Sequence, residues 1–332
     1  GVQTCALPIC VPVLRLNIHG QAVDLRCSLP GVRQILLDLL GGLSVSELPE
    51  GFQPIDARID EYDDHVVARM VSGRARRIHA SGGFCELWGD GERFWLLDEL
   101  SGICEINLLR RSWRACLLPR ALNDPHRALD SALYWPLSQL LARNDMLMVP
   151  GASVAHRGRG ILVLAPFDIE PELHVFARAG QAVISQRWSC IHFDAGRPLL
   201  LSTPGRLERV DPPHRLHVRS GLASTWYDLT GLFGAKPYAA CDVVVLVEPA
   251  RRSTTASKTL RGSAALSALR SSWPVPEVVP GQASGRLLAT LARHATIVRA
   301  ELARDPTQLQ ALLSDIDQTF VTPLSLTQPS AA

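Results

Sequence analysis

Ile161, Leu162, Val163 and Leu164 form an unbroken apolar run inside residues 151–201, GASVAHRGRGILVLAPFDIEPELHVFARAGQAVISQRWSCIHFDAGRPLLL. A strand apolar at consecutive positions is buried on both faces, so the chain must supply a layer on each side of it. One layer follows at once. Leu173, Phe176, Ala177 and Gly180 recur at i, i+3, i+4 and i+7, which predicts a helix over about 170–179 with its apolar face on the strand. The whole stretch reads as strand, turn, strand, loop, helix, strand, strand. A buried strand joined by a short loop to a helix presents backbone N–H groups at the helix N-terminus, where anions such as phosphate bind.

The flanking sequence fills two domains, as a chain of 332 residues with 47% hydrophobic content allows. The first nine residues, GVQTCALPI, match a translated sequencing adapter, GGA GTT CAG ACG TGT GCT CTT CCG ATC, and are expected to be foreign to the protein, its true N-terminus being lost. Residues 10–120 are expected to form a β-rich α+β domain. Val13 to Leu16 and Ala22 to Leu25 flank His19-Gly20 as a hairpin, and a helix over about 31–40 places Val32, Ile35, Leu36 and Leu39 inward. Runs over 55–62, 65–71, 74–79, 84–88, 94–98, 102–108 and 113–118, separated by turn-formers such as Asp63-Asp64, then predict an antiparallel meander. Asp124-Pro125 starts a helix to about Arg143, kinked at Pro136, as the boundary to an α/β domain over 121–318. Within it, a loop over 204–213, helices over 223–232, 259–271, 285–294 and 306–319, a buried strand over 241–247 and a strand over 297–300 are predicted. Residues 319–332 read as a flexible tail.

Charge and cysteine usage exclude several function classes. Net charge is +2, and the arginine clusters at 74–77 and 206–219 have no interleaved aromatics, so nucleic acid is not expected as a partner. No apolar run approaches the ~20 residues that span a bilayer, so no membrane is expected. Lys236 and Lys258 are the only lysines and neither follows a glycine loop, so a phosphate-binding G-x-x-x-x-G-K-[ST] motif exists nowhere in the chain. The eight cysteines make no C-x-x-C pair, which argues against structural zinc and a disulfide framework.

The order of elements over 148–201 resembles the nucleotide-binding core of the HPr kinase/phosphorylase family, more weakly to about residue 318. The fold this implies is a P-loop-kinase-like mixed-sheet α/β domain. The resemblance places Ala165, Asp168 and Glu170 at the family's glycine positions, Pro171 at its lysine and Glu172 at its Ser/Thr. Its leading His falls at Pro150 and its Asp pair at Gln186-Arg187. The phosphate-handling residues are thus replaced, and the loop is read as a degenerate Walker A loop. Pro171 removes a donor, while Asp168, Glu170 and Glu172 place carboxylates at the helix N-terminus, with Asp168 or Glu170 as cap and Phe167 and Ile169 filling the phosphate's space. At ~6 Å and an effective dielectric of ~20, each carboxylate–phosphate pair costs roughly 3 kcal/mol before screening.

Three further constellations carry chemistry. Cys190, His192 and Asp194 project from one face of a strand, as a metal site or Cys–His pair would require, although side chains two apart lie ~6.5 Å from each other and a half-buried strand edge is the plainer reading. His156 reads as a turn residue near Ser153, without a nucleophile elbow. His214 and His217 read as surface loop or strand. The expected function is a noncatalytic relative of HPr serine kinase that binds an unidentified protein, without metal or cofactor. A cytoplasmic setting and homo-oligomerisation are what the resemblance implies. The alternatives are a phosphotransferase or other enzyme whose chemistry has moved to Asp168, Glu170, Glu172, Cys190 and His192, and a structural accessory domain.

Overall fold

The computed structural model describes residues 12–18, 20–40, 43–46, 53–71, 73–81, 85–165, 169, 173, 175, 182–201, 203, 206–208, 218–220, 225–228, 238–249, 256–272, 284–302 and 306–321. It is mixed α/β and divides into two compact units, residues 1–150, 190–196 and 273–288 in one and 151–189, 197–272 and 289–332 in the other.

The first unit is built on β1 (Val13–Ile18), β2 (Gln21–Cys27), α1 (Pro30–Leu40), β3 (Ile55–Glu61), α2 (Asp64–Met70), β4 (Arg76–Ser81), β5 (Cys85–Gly89), β6 (Arg93–Asp98), β7 (Gly102–Asn107) and β8 (Ser112–Leu117). Its sheet has eight strands in the order β1-β2-β3-β8-β7-β6-β5-β4. The predicted hairpin pairs Val13 with Arg26, and Asn17 Oδ1 accepts the Gly20 N–H at 2.7 Å in the turn. The meander is antiparallel from β4 to β8 only. β3 runs parallel to both β2 and β8. The cause lies in α1, whose buried Val32, Leu36 and Leu40 dock it as the crossover that parallel neighbours need.

Residues 65–71 also depart from expectation, forming helix α2 instead of a strand. Asp63 Oδ1 accepts the N–H groups of His65 (2.7 Å) and Val66 (3.3 Å), an N-cap that outweighs the β preference of Val66-Val67. Met70, Val66 and Val67 then pack with Trp95, Ile103 and Cys116.

After β8 the chain enters α3 (Pro125–Leu129), a wider π turn over 130–134 and α4 (Trp135–Leu141), then β9 (Met146–Pro150). Asp124 accepts the Arg127 N–H at 3.1 Å, as a cap should. The distortion expected at Pro136 sits one turn earlier. Pro136 has no N–H, so the Ala132 carbonyl lacks its donor four residues on. The Trp135 N–H reaches back to the Asp130 carbonyl, and the Trp113 Nε1–H is donated to the Ala132 oxygen at 2.9 Å.

The remaining elements are β10 (Ala152–His156), β11 (Arg159–Leu164), β12 (Ala182–Ser185), β13 (Trp188–Asp194), β14 (Arg197–Leu201), β15 (Arg206–Glu208), β16 (Val218–Ser220), β17 (Thr225–Asp228), β18 (Tyr238–Pro249), β19 (Ala256–Leu260), α5 (Gly262–Ser271), α6 (Ser284–His294), β20 (Thr296–Leu302) and α7 (Pro306–Val321). In the second unit β11, β18 and β20 are mutually parallel, while β10 pairs antiparallel with β11 and β12, and β19 with β20. Val163, Val245 and Val298 meet Leu309, Leu312 and Leu313 of α7 in one buried cluster. The helix predicted over 223–232 is contradicted, because Thr225–Asp228, TWYD, pairs as a strand with β15 and β16; β-branched and aromatic residues suit a ladder. The helix predicted from Thr259 starts at Gly262, after β19.

Candidate functional site

The strand that organises the sequence reading is buried as expected: Ile161, Leu162, Val163 and Leu164 all lie in the core. β10 and β11 meet in a two-residue turn in which Arg157 (φ 48°) and Gly158 (φ 81°) are both left-handed, the geometry that matches strand twist. His156 is therefore not a turn residue. It is the last residue of β10, buried and in register with Arg159.

Beyond β11, Ala165 is half-buried. Ile169 and Leu173 are buried, and the Leu173 N–H is donated to the Ile169 carbonyl at 3.1 Å, one helical turn on. Both side chains join the cluster that holds Val163, Val245 and Val298. Asp168, Glu170, Pro171 and Glu172 lie outside the described residues, as do Phe167, His214 and His217. Pro150 ends β9, and Gln186-Arg187 form the turn between β12 and β13, where the Arg187 carbonyl accepts the Gly151 N–H at 2.8 Å.

Cys190, His192 and Asp194 do share a face of β13, at rising exposure: Cys190 is fully buried, His192 half-buried and Asp194 exposed. Burial pushes the Cys190 thiol up to about 12, so at neutral pH it holds its proton and is a poor nucleophile or metal ligand. Among the described residues no group of three or more His, Cys, Asp or Glu side chains could hold a metal ion. No disulfide joins the six described cysteines.

Two features were missed in the sequence. Ser153, Ser185 and Ser189 form a buried row, with Oγ separations of 2.6 and 2.5 Å, and Ser189 donates to the Gly151 carbonyl at 3.0 Å. Each hydroxyl has one proton, so the order is fixed: Ser153 donates to Ser185, Ser185 to Ser189, Ser189 to the carbonyl. The second is Asp242, which accepts the Gly160 N–H at 3.3 Å. Burial pushes its carboxyl up, against the Gly160 N–H and the Arg159 charge. Its signal was a lone acid opening the run Val243 to Leu246. It sits where the parallel pairing of β11 and β18 begins, away from the carboxyl ends where such sheets hold ligands, and its partner is backbone.

No family model matches the chain, and no curated protein does. Among solved structures it is similar to the Hpr(Ser) kinase/phosphatase from Coxiella burnetii, at 9% identity and a TM-score of 0.30, over 52% of this chain and 97% of that one. A likeness at that level carries no functional argument. No helix among the described residues is long and apolar enough to cross a membrane.

Proposed function

We propose that the chain is a noncatalytic relative of the HPr serine kinases, with a P-loop-kinase-like domain over 121–318, that acts in the cytoplasm as a protein-binding or regulatory module. The observation that carries the reading is the burial of Ile169 and Leu173 beyond β11. Both side chains belong to the hydrophobic core, and the chain contains no lysine on a glycine loop. A cradle of converging N–H groups depends on glycines, and the resemblance puts Ala165, Asp168 and Glu170 at those positions. Burial, which pushes the Cys190 thiol up to about 12, weighs against the enzyme alternative at that one of its five residues.

The test is phosphoryl transfer from labelled ATP, with Mg²⁺, to a serine-bearing carrier protein. Background counts are expected. Transfer above background that disappears on changing Glu170 and Glu172 to Ala would overturn the noncatalytic reading and establish the relocated-site enzyme.

A further inference from the structure

The two ends of the first unit's sheet differ. At one end the outer side of β1 is occupied: Leu16 bridges Ser44, and the Val45 N–H is donated to the Arg15 carbonyl at 3.1 Å. At the other end β4 is, among the described residues, bonded along one side only, to β5. An unoccupied strand edge is a template for another strand, and natural edges are usually guarded by charge or by a bulge. β4 has both. Its register with β5 shifts between Arg77 and His79, and Arg74, Arg76 and Arg77 lie in a stretch, 71–84, without a single acidic residue.

The guard is one-signed, which makes it a filter. Arg76, Arg77 and Ile78 are all exposed in succession, so positive charge flanks the edge on both faces of the sheet. On one face Arg77 reaches Glu86 at 3.3 Å, an exposed pair that solvent screens. On the other, Ile78 lies beside Gly89 yet is 41% exposed, an apolar contact point next to the arginines. A second copy of β4 would bring arginine against arginine and is repelled. An acidic strand gains main-chain hydrogen bonds and charge complementarity together. Single-stranded nucleic acid would meet the same charge, with half-buried Trp88 opposite Arg77 as an aromatic beside it, and an oligo-dT control separates it from an acidic strand.

We propose that the edge of β4 opposite β5 is the docking site for an extended acidic segment of a partner protein, which adds to the sheet as a ninth strand. This rests on the reading of the chain as a binding module and names the surface and the partner's chemistry. The probe is a fluorescein-labelled eight-residue peptide of glutamate and valine, against a lysine–valine peptide of the same pattern and an oligo-dT of the same length, read by anisotropy at low salt. The acidic peptide should bind at least about tenfold more tightly than either control. It should slow amide exchange across Arg76–Ser81, and Ile78→Pro should abolish binding. The double change Arg76→Glu, Arg77→Glu, at exposed side chains, should reverse the peptide preference, with only the small fall in melting that loss of the exposed Arg77–Glu86 pair brings. Equal binding of oligo-dT, self-association of the protein through β4, or acidic-peptide binding that leaves β4 amides unprotected would each overturn the proposal. Absence of peptide binding would sink this surface while leaving the module reading intact, whereas ATP-dependent transfer would sink the module reading whatever the peptide does.

Discussion

The strands of the two units are buried in different ways. In β3, IDARIDE, buried Ile55, Ala57 and Ile59 alternate with exposed or half-exposed Asp56, Arg58 and Asp60. In β11 and β18, residues 161–164 and 243–247 are buried without a break. The alternating sheet has one face for a core and one for charge. There Arg26, Arg58 and Arg114 stand in register across β2, β3 and β8, compensated by Asp56 (2.5 Å to Arg26) and Asp60 (2.7 Å to Arg114). The continuous strands have no face to spare, so close approach is enforced on both sides. Beside β11, in β10, β12 and β13, the buried serine row closes its hydrogen bonds internally.

A methyl group placed at the tightest point of each sheet tests this comparison most severely. Gly102 has φ +128°, and a Cβ there would lie 2.1 Å from the Cys116 carbonyl oxygen; at Gly160 it would lie 2.2 Å from that of Ala240. Gly102→Ala and Gly160→Ala should each cost at least about 3 kcal/mol in urea unfolding. Amide exchange should accelerate in β7 and β8 for the first and in β11 and β18 for the second. Equal acceleration in both sheets for either variant would break the distinction.

The serine row sharpens it. Ser189→Ala leaves the Gly151 carbonyl without this donor and Ser185 without its acceptor, an expected loss of about 2 kcal/mol. Ser153→Ala removes one donor at the head of the row and should cost about 1 kcal/mol. Equal losses in chemical denaturation would mean that the proton order runs otherwise.

In the first unit the matching polar closure is the Trp113–Ala132 bond. Trp113→Phe keeps the ring and removes the donor, with an expected cost of about 1–2 kcal/mol. Pro136→Ala restores an N–H four residues beyond Ala132, so the double variant should recover part of that loss. A strictly additive thermal-unfolding cycle would show that the indole is not answering the proline. The smallest effect belongs to the cap: Asp63→Ala should cost about 1 kcal/mol, seen as faster exchange confined to Asp64–Met70.

How far these features were legible depends on where their causes lie. The β1–β2 hairpin, α1, the buried run of β11 and the helices near 285 and 306 follow from local period and turn chemistry, and they stand where the sequence places them. β3 reads correctly as a strand but not in its direction, since that is set by where α1 docks. α2 was hidden because Val66 and Val67 favour a strand, while one aspartate, Asp63, three positions before Val66, decides for the helix. Thr225–Asp228 was read as a helix although its aromatic and β-branched residues favour a strand. At the candidate site, the strand spacing of Cys190, His192 and Asp194 gave a shared face but could not give depth, and depth decides the chemistry of Cys190. The serine row joins residues 36 positions apart in sequence, from 153 to 189, and no local pattern announces it.

The scarcity of lysine has a practical consequence. Lys258 lies exposed on β19, in register with Arg299, and Lys236 is the only other lysine in the chain. Amine-directed reagents therefore meet very few targets besides the terminal amine, and one of them is a known point on a sheet edge. A dye or resin coupled there leaves the arginine-rich surface of β4 unmodified, so a partner can be sought with a tethered protein whose proposed docking edge has not been altered by the tether.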